Sequence, residues 1–149
     1  MNYSLNEKER FETKLTLLQD ILDKKHGALV AVLNISENQE TLYLSTSSDE
    51  RNAFLLEMSK EKQKQIDDVL ACDEVFQSIF DSIADEFEEE SAKHEEKIRH
   101  LQFSINEVLD LDMKIRAQEE RIETIASDFS ESASYILNKQ RAASKLAVH

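Results

Sequence analysis

The chain has 149 residues, a formal charge of −13, one glycine, one cysteine and no proline, with 33% charged residues. Such a field repels nucleic acid and anionic membrane surfaces, and a single cysteine excludes an intrachain disulfide. One domain is the default at this length. The scarcity of the residues that punctuate sheets and tight turns, with abundant Glu, Lys, Leu, Ile and Ala, points to an all-α fold of long helices.

The first predicted element opens at "SLNE", residues 4–7, which has the form of a capping box. Phe11, Leu15, Leu18, Leu22, Leu29 and Val32 follow in steps of three and four, with Lys25 interrupting. This predicts helix 1 over about residues 4–44. Gly27, in "HGAL", costs about 1 kcal/mol relative to alanine and invites a kink there. The stretch "STSSDE", residues 45–50, is rich in turn and N-cap formers and marks the clearest break.

Helix 2 is predicted over about 48–87. Its stripe is Ile66, Val69, Asp73, Phe76, Phe80, Ile83 and Phe87, with Asp73 its polar member. "ACDE" at 71–74 offers Asp73 as a cap at a small break, but a continuous helix is the preferred reading. Residues 85–96, "DEFEEESAKHEE", hold seven acids and read as a solvated helix end or turn. A reversal of the chain belongs near here, although no glycine marks it.

Helix 3 is predicted over about 92–146 and has the longest stripe: Ile98, Leu101, Ile105, Val108, Asp112, Ile115, Glu119, Ile122, Ala126, Phe129, Ala133, Ile136, Gln140 and Ala143. Asp112 and Glu119 are carboxylates on an apolar seam. A lone buried carboxylate is costly. They are therefore expected at the bundle rim, in water or paired with a lysine such as Lys14 or Lys62; the rival is a seam that another protein's helix completes. The end, "LNKQRAASKLAVH", holds Lys139, Arg141 and Lys145 and no acid.

Together these elements predict an elongated antiparallel three-helix bundle with coiled-coil-like packing. So thin a rod has a limited core, so a homodimer, or a partner lying along an apolar stripe, is expected.

Nothing in the pattern supports catalysis. None of His26, His94, His100 and His149 has a glutamate three residues before it, as inward-facing di-iron pairs require. The helical zinc-protease motif and a glycine-rich phosphate loop are both missing. Asp73 beside Cys72 opposes thiolate formation. The expectation is a non-enzyme with no metal and no cofactor. The polar start, "MNYSLNEKER", and the lack of any long apolar run predict a cytoplasmic chain that does not insert in a membrane.

The stretch "LLEMSKEKQKQIDDVLACDEVFQSIFDSI", residues 55–83, resembles the middle segment of FlgN-type flagellar export chaperones, through Glu61, Lys62, Leu70, Asp73 and Phe76. "KIRHLQFSINEVLDLDMKIRAQEERIE" (97–123) and the small, basic "RAASKLA" (141–147) are similar to later parts of that family, whereas "NISENQETLYLSTSS" (34–48) departs from it. The resemblance covers most of the chain from about residue 11. It implies a cytosolic chaperone of type III protein export that holds terminal helices of hook-associated (junction) proteins, delivers them to the export apparatus during flagellum assembly, and uses no cofactor.

A client helix needs an elongated apolar groove. The candidate groove is on the C-terminal third: Ile122, Ile125, Phe129, Ile136, Leu137 and Leu146. Tyr135 adds amphipathic area, and Lys139, Arg141 and Lys145 would steer an acidic segment. Ordinary bundle core is the competing reading of this stripe. The competing function is a structural coiled-coil protein that self-associates without a client.

Overall fold

The structure is a computed structural model that describes residues 7–45 and 49–148, with side chains over 9–45 and 49–128. Within them the chain forms α1 (Glu7–Tyr43), α2 (Asp49–Ile83), a four-residue turn of helix α3 (Phe87–Glu90) and α4 (Glu95–Val148). No strand occurs among the described residues. At 1.5 Å per residue α1 and α2 are each a little over about 50 Å long, and α4 is roughly 80 Å. The fold is an all-α helical bundle. No helix in the described residues is long and apolar enough to cross a membrane.

The stripe of α1 is buried as its spacing predicts: Phe11, Leu15, Leu18, Leu22, Leu29 and Val32 all lie in the core. α1 passes through Gly27 without a break. The capping box at 4–7 falls outside the described residues except for Glu7. α2 starts at Asp49, as the break at 45–50 predicts, and runs through "ACDE" uninterrupted to Ile83.

The arrangement is uneven. α1 packs along its length against both α2 and α4, whereas α2 and α4 barely approach one another. α1 is therefore the central helix. α2 has only one helix to bury against, and among its residues only Leu55, Cys72 and Ile83 are fully buried. Phe76 and Phe80, expected in the core, are only partly buried. They lie nearly parallel, with ring centroids 6.5 Å apart.

The corner between α2 and α4 is tighter than a solvated acidic turn. Two short 3-10 turns, Ala84–Glu86 and Ser91–Lys93, flank α3. Phe87 stands edge-on to Phe11 at 6.0 Å, and His94 lies 5.4 Å from the same ring. Glu90 and His94 are buried, with Oε2 and Nε2 3.9 Å apart, while Asp85, Glu88, Glu89, Glu95 and Glu96 stay exposed. The expectation of a solvated end holds for those five acids and fails for Glu90 and His94. The aromatic cluster closing this end of the bundle needs a lid, and the corner supplies it.

Candidate functional site: an open cleft between two helices

Polar side chains set the register of the three helices. Along α1 and α4, which run parallel, Lys97 Nζ donates to Glu12 at 2.8 Å and Gln19 to Ser104 Oγ at 2.8 Å. Further along, Gln118 donates to Glu40 at 2.6 Å. Along the antiparallel pair α1 and α2, Lys14 donates to Ser82 at 2.7 Å and Lys25 to Asp73 at 2.5 Å. Asp73, the polar member of the α2 stripe, thus meets the lysine that interrupts the α1 stripe.

The two carboxylates on the α4 seam separate. Asp112 pairs on its own helix with Arg116 at 3.0 Å, and both are solvent-accessible. Glu119 crosses the bundle. Ser36 Oγ donates to its Oε1 at 2.5 Å, and Lys62 Nζ donates to its two oxygens at 2.9 and 3.1 Å. Lys62 also donates to Gln39 Oε1 at 2.6 Å, and Gln39 Nε2 donates to Ser59 Oγ at 3.0 Å. The network ties all three long helices together, and its α1 members, Ser36 and Gln39, are buried. A polar layer of this kind has few alternative alignments, which fixes register. Glu119 is the lysine-paired carboxylate that the seam called for, with Lys62 as its partner.

Between the Lys25–Asp73 pair and the Lys62–Glu119 pair the gap between α2 and α4 is open. It forms a cleft of about 500 Å³. Leu29 and Val32 of α1 make its floor, Ile66 and Val69 of α2 one wall, and Val108 and Ile115 of α4 the other. From Lys62 to Asp73 it spans about 16 Å of α2 at the helical rise. Its lips are apolar as well. Leu70 is 57% exposed and Leu109, across the gap, 55%; Met113, one turn beyond Leu109, is 69% exposed. Leu70 and Leu109, bare on opposite sides of the cleft, are a paired patch rather than scattered surface apolar groups.

The structure brings together few of the residues expected at a binding site. Ile122 is buried in the bundle. Ile125 is partly buried and lines a shallow hollow with Glu40, Ala117, Glu120, Arg121 and Thr124. The backbone of α4 carries Phe129, Tyr135, Ile136, Leu137, Lys139, Arg141, Lys145 and Leu146, but their side chains lie outside the described residues.

That part of α4 extends past its neighbour. Ser36 meets Glu119 and Glu40 meets Arg121. Continued at one rise per residue, α1 ends at Tyr43 about level with residue 126 of α4, and α4 goes on for roughly 33 Å more, to Val148.

Sequence reasoning did not find the cleft. Its signal was the pair Leu109 and Met113, four apart and one step round the helix from the Val108–Asp112–Ile115 seam, with Leu70 one step round from Val69. Those positions widen the apolar stripe beyond what one neighbour covers. Cys72 is buried and unpaired. Among the described residues no group of three or more metal-ligating side chains converges.

Comparison with known proteins finds no family model, no curated protein and no solved structure that matches the chain.

Proposed function

We propose that the chain is a cytosolic export chaperone of the flagellar type. It holds amphipathic terminal helices of hook–filament junction proteins and passes them to the export apparatus. The observation that carries this reading is the length of α4 beyond the end of α1. A helix some twenty residues long leaves its bundle there with a sequence, Phe129 to Leu146, that mixes large apolar residues with Tyr135, Lys139, Arg141 and Lys145. An amphipathic helix is recognised by laying its apolar face on such a surface. The resemblance of residues 55–83, 97–123 and 141–147 to FlgN-type chaperones supports the same reading and supplies the client class.

The test is a pull-down with purified junction proteins. The full chain is retained by the client, and a chain ending at residue 129 is not. Loss of retention by the full chain refutes the function. Equal retention of both chains moves the site off the C-terminal stretch.

The second reading, a self-associating rod without a client, is favoured by the α2–α4 cleft, which has the shape to receive one more helix. It predicts an oligomer that retains no junction protein.

A further inference from the structure

We infer that two copies of this chain pair by exchanging the ends of α4, the stretch beyond residue 126 of each filling the α2–α4 cleft of the other. The bundle has three long helices and an apolar trough where a fourth would complete it. An unfilled trough of this size forfeits the close packing that protein interiors reach.

Length selects the occupant. α4 passes α1 by roughly 33 Å. If two copies meet tail to tail, with their α4 helices antiparallel about residue 126, residue 126 + k of one lies beside residue 126 − k of the other. The cleft wall on α4, Val108 to Glu119, then faces residues 133–144 of the second copy, and position 139 falls beside Met113. The overhang is long enough to cover the whole cleft. The pairing is two-fold, so each copy gives one helix and receives one, and the assembly closes at two.

Charge selects the same occupant. The cations lining the cleft are already paired: Lys25 with Asp73, Lys62 with Glu119, Arg116 with Asp112. Asp67, Glu74 and Glu120 stand exposed on the same helices. This rim is acidic. A second copy would be repelled at almost any other approach, since each chain carries −13. Residues 132–149 are the exception, with Lys139, Arg141 and Lys145 and no acid. Opposite potentials steer that segment, the longest stretch of the chain without an acid, to the cleft.

The inference does not depend on the chaperone reading. Where that reading also holds, the α4 end is sheltered in the dimer, and a client must displace the second copy to reach it.

The test uses the purified full chain alone, by light scattering after size exclusion. At about 100 µM, where micromolar affinities saturate, the full chain runs as a dimer and a chain ending at residue 129 as a monomer. Reversing the tail charges with K139E/R141E/K145E weakens the dimer by about tenfold or more at low salt. Leu109→Glu, at an exposed lip, gives a monomer with unchanged helical circular dichroism. In a Cys72→Ala background, Met113→Cys with Lys139→Cys cross-links between copies on mild oxidation, while Arg99→Cys with Lys139→Cys does not. A monomeric full chain overturns the inference. So does a truncated chain that still dimerises, or a dimer in which the only cross-link joins position 139 of one copy to position 139 of the other.

Discussion

At the scale of single residues, the seam carboxylate Glu119 is the centre of a three-helix contact. Lys62 holds it from α2 and Ser36 from α1. Lys62→Met removes the charge partner, leaving the Glu119 carboxylate with Ser36 as its cross-bundle donor and Gln39 Oε1 without the Lys62 ammonium. Hydrogen bonds to charged groups contribute about 1.5–3 kcal/mol, and partial exposure of Glu119 puts the expected loss near the lower bound. Urea denaturation of Lys62→Met, Glu119→Gln and the double variant measures it. The double variant should be more stable than the sum of the two losses implies, because neither partner is then stranded. Additive losses would show that the two side chains do not interact.

The phenylalanines divide at the same scale. Phe11 is fully buried between α3 and the start of α4, so Phe11→Ala is expected to cost about 3–5 kcal/mol. Phe76 and Phe80 keep part of their surface in water and should each cost roughly half as much. Thermal or urea unfolding of the three alanine variants orders them. A loss at Phe76 equal to that at Phe11 would mean the ring is enclosed.

At the scale of elements, α1 carries the fold. Its apolar stripe serves two neighbours, α2 and α4, which barely touch one another. That explains an asymmetry in what the sequence makes legible. The α1 stripe is legible because every one of its apolar steps is buried, and buried steps leave the clearest period. The α2 stripe looks equally regular, yet Phe76 and Phe80 are partly out of the core. Periodicity says which face of a helix is apolar but not how many helices that face will meet. The corner at 84–94 escapes a sequence reading for a related reason. Its composition is acidic, and His94 packs on Phe11, which lies far away in sequence, while Glu90 sits beside His94.

Gly27 gives a prediction at this scale. It lies inside an unbroken helix on the exposed side of α1, and a Cβ built on it meets nothing within 4 Å. Gly27→Ala should therefore stabilise the chain by about 0.5–1 kcal/mol, through helix propensity and a less flexible unfolded state. A higher urea midpoint with an unchanged slope is the expected outcome. A drop would mean that the glycine is needed for bending in solution.

At the scale of the whole molecule, the bundle and the C-terminal stretch separate in space. The α1–α4 contacts run from Glu12 with Lys97 to Glu40 with Arg121. A chain ending at residue 129 retains them all, so its unfolding, measured as a monomer, should match that of the full chain at concentrations too low for association. A marked loss of stability at high dilution would place the α4 end within the bundle. The fold class is legible at this scale, since a composition so poor in turn residues gives sheets no corners. The cleft is not. It arises from which pairs of helices approach, and three amphipathic stripes leave that choice open until they are packed.

The central position of α1 also bears on how the chain is made. The α1–α2 hairpin joins neighbouring elements, but Ser36 waits for Glu119, 83 residues further on. During synthesis the hairpin is complete while much of α4 is still within the ribosome, so the α4-facing side of α1 emerges bare. Phe11 and Leu15 are then exposed for the seconds that translation of the remaining chain takes at about 5–20 residues per second. On the role proposed above, a shelterer of apolar helices would spend its own birth in need of the same shelter.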